Sequence, residues 1–176
     1  MSVSYWFVPH THWDREWYLS FQDFRWKLSS AIDAILDTLT GNESFVHFML
    51  DGQAIVLEDY LELRPDRRDA LQNMVRQGRL AVGPWYVQQD DVLVTGEALV
   101  RNLERGYRVA RQFGGVMPVG YLPDSFGHCA ALPSVLSGFG LESACLMRGA
   151  GPELEKAFFS WSARDGSRVL VAYLVD

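Results

Sequence analysis

Val3-Ser4-Tyr5-Trp6-Phe7-Val8-Pro9-His10-Thr11-His12-Trp13-Asp14-Arg15-Glu16-Trp17-Tyr18 is an apolar run that breaks into a polar, aromatic loop. The run reads as a buried strand, and the loop behind a strand is where α/β folds keep their chemistry. Alternation along an extended segment turns His10, His12 and Asp14 to one side. Imidazole and carboxylate are ligands that zinc accepts. A strand-end histidine pair satisfied by ordinary hydrogen bonds is the competing reading.

A second stretch repeats the design far downstream: Val119-Gly120-Tyr121-Leu122-Pro123-Asp124-Ser125-Phe126-Gly127-His128. Asp124 stands just past a short apolar strand, well placed for a metal or a substrate carbon. Capping of the following helix is the other job an aspartate does in that position.

Between and beyond these stretches, strands and helices alternate, which predicts a mostly parallel α/β sheet. Leu28, Ala31, Ile32, Ile35, Leu36 and Leu39 fall at spacings of three and four, a single apolar stripe on a helix from Phe24 to Leu39 that Gly41-Asn42 ends. Phe45 to Leu50 reads as a second strand closed by an Asp51-Gly52 turn, with His47 a core histidine. Two helices, Ala54–Leu63 and Asp66–Arg76, are separated by Pro65. Leu80-Ala81-Val82 leads into a loop from Gly83 to Thr95 whose Trp85, Tyr86, Gln88, Gln89, Asp90 and Asp91 could either meet sugar hydroxyls or pack internally. Thr95 caps a helix from Glu97 to Phe113. Val119–Leu122 is a strand, Leu132–Phe139 a short helix and Ser143–Met147 another strand. Phe158–Trp161 and Arg168–Val175 flank a hairpin turn at Arg164-Asp165-Gly166-Ser167. The sum is one domain over residues 1–176, most of a seven-stranded, barrel-like α/β fold, with the loops after the strands forming the active face.

A net charge of −6 disfavours a nucleic-acid partner, because phosphate binding needs clustered cations. Arg64-Pro65-Asp66-Arg67-Arg68 is such a cluster only in part, since Asp66 and Asp69 interrupt it, and it reads as a solvated helix face. No apolar stretch is long enough to span a membrane. The first residues lack the basic start and cleavage site of a secretory signal. The two cysteines, Cys129 and Cys145, suggest neither a disulfide framework nor a thiolate zinc site, so a reducing cytoplasm is the expected setting.

The two strand-end stretches together resemble the N-terminal catalytic domain of glycoside hydrolase family 38, the retaining α-mannosidases, in its bacterial branch. Pro9-His10-Thr11-His12-Trp13-Asp14 with Trp17, and Asp124-Ser125-Phe126-Gly127-His128, carry the likeness; Leu50-Asp51-Gly52-Gln53 and Gly83-Pro84-Trp85-Tyr86-Val87 extend it across nearly the whole chain. The resemblance implies that His12, Asp14 and Asp124 are zinc ligands and that Asp124 is also the catalytic nucleophile. It implies substrate contacts for Trp17, Phe126 and Arg148, the last of which also reads as a surface arginine. His10 would be a supporting residue that orients Asp14 or His12. The fourth ligand, a histidine, and the acid/base aspartate would lie beyond Asp176. The isolated chain is therefore expected to be an inactive part of a longer enzyme, one that acts on mannose-containing carbohydrate and could oligomerise. The linkage, which includes mannosylglycerate-type substrates, is left open.

Two other classes compete. A metal-dependent polysaccharide deacetylase also builds on a truncated α/β barrel, but the His-x-x-x-His pair of that class is missing. A carbohydrate-binding or folding module would bind mannose without a metal.

Overall fold

The computed structural model describes residues 4–154 and 156–174. The first helix starts from its cap: Ser20 accepts a hydrogen bond from the Asp23 amide and donates one to the Asp23 carboxylate at 2.6 Å, so α1 runs Phe21–Gly41, three residues earlier than the apolar stripe alone suggests. Phe24, Leu28, Ile32, Leu36 and Leu39 bury its inner face. Each such side chain removed from water is worth about 1.5–3 kcal/mol, the term that makes the helix form at all.

That face packs on α2 (Ile55–Leu63) and α3 (Arg68–Arg76), separated by a 3-10 turn at Pro65–Arg67. The basic cluster is a stitch rather than a free face. Arg64 Nε pairs with Asp33 at 2.9 Å and Arg67 Nη2 with Asp37 at 2.5 Å, both across to α1. Beneath the helices lies a parallel sheet ordered β1 (His10–Thr11), β2 (Phe48–Leu50) and β3 (Leu80–Ala81), in register His10 to Met49 and Phe48 to Leu80.

A second sheet holds β4 (Gly120–Leu122), β5 (Ser143–Leu146), β7 (Arg168–Tyr173) and β6 (Phe158–Ser162) in that spatial order. The hairpin turn predicted at Arg164–Ser167 joins β6 and β7, which form the one antiparallel pair among the described strands. Val175, placed in that last strand by the sequence, lies outside the described residues. Helix α4 (Gly96–Phe113), capped by Thr95 as expected, spans both cores. Val109, Ala110 and Phe113 enter the first, and Leu99 and Leu103 join Trp85, Leu122 and the short α5 (Leu132–Gly138) in the second.

The architecture is the mixed, mostly parallel α/β fold expected, and its seven described strands do not close into a barrel. An apolar cleft of about 690 Å³ separates the sheets, lined by Met49, Leu80, Val116, Val119 and Tyr121 among others. Its mouth corrects one expectation. Ser4 to Val8 form no strand, and Tyr5, Trp6 and Phe7 are each about nine-tenths exposed. The ladder engages only where Pro9 offers its carbonyl to the Met49 amide, since proline has no N–H to give in return. Val3, the first residue of that run, is outside the described residues.

Candidate active site

Every element of the site follows the C-terminal end of a parallel strand. The loop after β1 carries His12 and Asp14, the turn after β2 carries Asp51, and the loop after β3 carries Gln88 to Asp91. The loop after β4 carries Asp124 to His128, and β5 runs into Arg148. Gln88 ties the two sheets together where they part: its amide donates to the Asp51 carbonyl at 2.6 Å and to the Tyr121 carbonyl at 3.3 Å.

Across that junction three side chains converge. His12 Nε2 lies 3.5 Å from Asp14 Oδ1 and 3.4 Å from Asp124 Oδ2, and one ligand atom of each falls within 4.8 Å of the other two. All three side chains keep roughly a third of their surface open to solvent.

Asp51 builds this cluster from beneath. It is fully buried, with φ of +43°, a left-handed conformation that aspartate tolerates better than most residues. One carboxylate oxygen meets His12 Nδ1 at 3.0 Å; the other accepts the Trp13 amide at 2.8 Å and the Gln53 side chain at 2.7 Å. With Nδ1 engaged there, Nε2 is the ring nitrogen that faces Asp14 and Asp124. The hydrogen bond to Asp51, reinforced by the charges of Asp51, Asp14 and Asp124, lifts His12 to about 9 against the opposing effect of burial. The raised value makes the His12 ring itself the cation among these carboxylates, and a metal would take the place of its Nε2 proton. One imidazole and two carboxylates, open on the outer side, are the donor chemistry of a catalytic zinc site that keeps a position for substrate. The residues therefore fit the metal.

Arg15 pins the first loop down, its guanidinium forked onto the buried Asp59 of α2 at 2.7 and 2.9 Å. On the opposite side, Arg148 Nε stands 3.1 Å from Asp124 Oδ1, and its guanidinium carbon lies 5.3 Å from the Phe126 ring. Phe126 and Trp17 expose most of their rings, 69% and 75%. Trp17 rests edge-on against Tyr18, which in turn meets Phe24. Asp124 is too occupied with Arg148 and His12 to act as a helix cap, and α5 starts eight residues later.

His10 does not join the group. Its Nδ1 lies near the Thr11 carbonyl and the Tyr121 hydroxyl, and the ring faces the cleft between the sheets. It is Asp51, not His10, that bonds His12. His47 is not the core histidine expected: it bonds the Gly78 carbonyl at the exposed edge of the cleft. The amides expected to greet sugar hydroxyls are spent internally: Gln89 bonds Asp91 and receives from Asn102, and Gln88 spans the sheets. Trp85 is core, fully buried.

The sequence profile of the glycosyl hydrolases family 38 N-terminal domain matches residues 2–176. A "Putative mannosylglycerate hydrolase" of Halalkalibacterium halodurans is 37% identical over 96% of the chain and 20% of its own length. "Alpha-mannosidase 2C1" of Homo sapiens is 30% identical over 93% of the chain and 16% of its own length. The crystal structure of an alpha-mannosidase from Enterococcus faecalis superposes with a TM-score of 0.90 at 34% identity, covering 94% of this chain and 19% of that one. The chain thus spans about a fifth or less of the length of these three relatives.

Proposed function

The chain belongs to glycosyl hydrolase family 38, and from that premise we propose that it carries the nucleophile and most of the metal shell of a zinc-dependent retaining α-mannosidase. The observation that supports this reading is the convergence of His12, Asp14 and Asp124, drawn from two sheets, on one point. The fourth ligand and the acid/base group would come from a longer polypeptide.

In this reaction the Asp124 carboxylate attacks the anomeric carbon as the bond to the aglycone oxygen breaks. The acid/base group gives that oxygen its proton, and a covalent glycosyl ester forms on Asp124. The same group then takes a proton from water, whose oxygen displaces Asp124 and restores the original configuration. The two carboxyls should stand about 5–5.5 Å apart, as retention requires. Arg148 fixes the rotamer of Asp124. Phe126 and Trp17 offer apolar faces to the C–H side of the sugar. His12, Asp14 and Asp124 would hold the zinc, which when bound supplies a Lewis acid for vicinal hydroxyls and favours the cis 2- and 3-hydroxyls of mannose.

A slowly released fluorinated mannosyl donor, incubated with the full-length polypeptide and followed by digestion and mass spectrometry, tests the reading. The mannosyl mass should sit on the peptide containing Asp124; label on any other residue removes the assignment. Mannosylglycerate is the second substrate to try, since a relative at 37% identity bears that name. Comparing kcat/KM for it and for p-nitrophenyl α-mannoside ranks the two. The free thiols, with Cys145 pushed up to about 11 by burial, accord with the cytoplasmic setting proposed. Among the described residues no helix is long and apolar enough to cross a membrane.

The role of Asp51 gives a separate expectation. Asparagine accepts the same left-handed backbone but can present its amide N–H to His12 Nδ1, which shifts the ring proton to Nε2 and blocks the ligand position. Asp51→Asn should weaken zinc binding about 10- to 100-fold, read by competition with a chromogenic chelator. Unchanged affinity would show that Asp51 does not set the tautomer.

A further inference from the structure

Arg148 reaches Asp124 along a flexible side chain whose ordering costs up to about 2 kcal/mol, so its backbone must be held for the guanidinium to stay in place. One residue holds it. His128 Nε2 lies 2.9 Å from the Arg148 carbonyl oxygen, and His128 Nδ1 lies 3.3 Å from Asp91 Oδ2. The imidazole is 6% exposed and the Asp91 side chain fully buried, so the bond that braces the ring on Asp91 is shielded from water. Asp91 is anchored in its turn, its amide on Ser125 Oγ and its other carboxylate oxygen accepting from Gln89 at 2.9 Å. Trp161 closes the far side, edge to face with the ring at 5.9 Å.

Gly149 gives an independent sign that the two strand-end loops are built to touch. Its φ is +83°, and a Cβ there would stand 2.6 Å from the Ser125 carbonyl oxygen, 2.9 Å from the Gly127 amide and 2.9 Å from His128 Nε2. The segment after β5 lies directly against the Asp124 loop, with no room for any side chain between them.

Both ring nitrogens face oxygen atoms, so Nε2 must carry a hydrogen to bond the carbonyl. Burial alone would lower the His128 pKa, but the hydrogen bonds to Asp91 and to the Arg148 carbonyl leave it above its ordinary value.

We propose that His128 is a positioning residue: braced by the buried Asp91, it fixes the Arg148 carbonyl and thereby keeps the Arg148 guanidinium on the Asp124 carboxylate. The inference rests on the reading of Asp124 as the reacting group, and its test separates the two.

Glutamine can place an amide where Nε2 stands, whereas asparagine reaches only the Nδ1 position. In the full-length polypeptide, His128→Gln should keep most of the wild-type kcat. His128→Asn should lose about 10- to 100-fold in kcat with KM little changed, and should add no further loss in an Arg148→Ala background. Equal losses in Gln and Asn, or additive losses with Arg148→Ala, would reduce His128 to packing and overturn the proposal. A readout free of turnover accompanies it. The Arg148 Nε–H signal in nitrogen-15 NMR, protected by Asp124, should persist in His128→Gln and vanish in His128→Asn. If that order holds while no mannoside is hydrolysed, the positioning stands and the functional reading falls; a signal indifferent to both substitutions sinks the positioning whatever the activity. The wild-type protein supplies the check that needs no variant: its His128 ring spectrum should show a proton on Nε2, and a bare Nε2 overturns the proposal.

Discussion

Asp124→Ala is expected to cost the full-length polypeptide at least about four decades of kcat on α-mannosides while leaving its unfolding transition nearly where it was. The two halves of that expectation have different causes. The catalytic loss follows from the proposed role of Asp124, as the group that bonds the anomeric carbon and as one of the zinc ligands, for which neither Asp14 nor Asp51 can substitute. Asp14 comes from the β1 loop of the other sheet, and Asp51 is buried with both oxygens engaged. The small stability change follows from exposure and charge. Asp124 is about a third exposed and belongs to neither apolar core, and in the metal-free protein it stands with Asp14 around a single imidazole. Taking away one of two crowded carboxylates relieves repulsion with Asp14 while it forfeits the pairings with Arg148 and with the charged His12 ring, each of them partly exposed and worth little.

Azide sharpens the measurement. With the carboxylate gone, its space admits a small anion, and an activated α-mannoside should yield β-mannosyl azide because attack comes from the face opposite the leaving group. Both Asp124→Ala and Asp14→Ala lack one of the proposed zinc ligands, so the assays are run with zinc in excess; under that condition azide should restore Asp124→Ala and leave Asp14→Ala inactive. Residual hydrolysis by Asp124→Ala within tenfold of wild type would end the nucleophile assignment.

The site is legible in the sequence because its parts are local signatures. A carboxylate or imidazole directly after an apolar strand needs only the strand to be placed correctly, and β4 and the ladder at His10–Thr11 do bring Asp124 and His12 together where the two sheets meet. Asp51 satisfies that same rule, following β2 as Asp124 follows β4. It reads as a turn because Asp-Gly is also a turn signature, and no local feature announces a histidine 39 positions earlier in the chain as its partner. The same limit applies to His128 and Asp91, which are 37 residues apart. Hydropathy misleads at Ser4–Val8 because an apolar run records what a segment tolerates and not what covers it. The glutamines bond internally for a related reason. An amide in a loop at a sheet junction is needed first to satisfy backbone carbonyls that the parting strands leave open, as Gln88 does for Asp51 and Tyr121.

Gly106→Ala should destabilise the protein by about 3 kcal/mol or more, the reverse of what helix propensity alone would give. Glycine inside a helix is worth about 1 kcal/mol less than alanine, and Gly106 lies in the middle of α4. Yet a Cβ at this position would come closer than 3.0 Å to the Pro84 carbonyl oxygen, the Trp85 carbonyl carbon and the Tyr86 amide nitrogen. All three are backbone atoms and cannot swing aside. The helix would have to lift from the loop it braces. In lifting it would strain the bonds that the Tyr86 and Val87 amides donate to Asn102 Oδ1, at 2.8 and 3.0 Å, and uncover the fully buried Trp85. That loop pairs with the turn after β2, through Trp85 N to Gly52 O at 3.1 Å and the bridge between Gln53 and Trp85. Gln53 and Asp51 in turn hold His12 and Trp13. Damage at Gly106 should therefore reach the cluster of His12, Asp14 and Asp124 proposed to hold zinc, with zinc affinity falling alongside stability although none of the three is altered. Gly41→Ala is the control: Gly41 ends α1 without a left-handed backbone, and a methyl added there would find no atom within 4 Å. That substitution should be neutral or slightly stabilising. Urea unfolding of the two variants decides the matter, and a Gly106→Ala midpoint equal to or above wild type would mean that α4 does not rest on the Pro84–Tyr86 backbone.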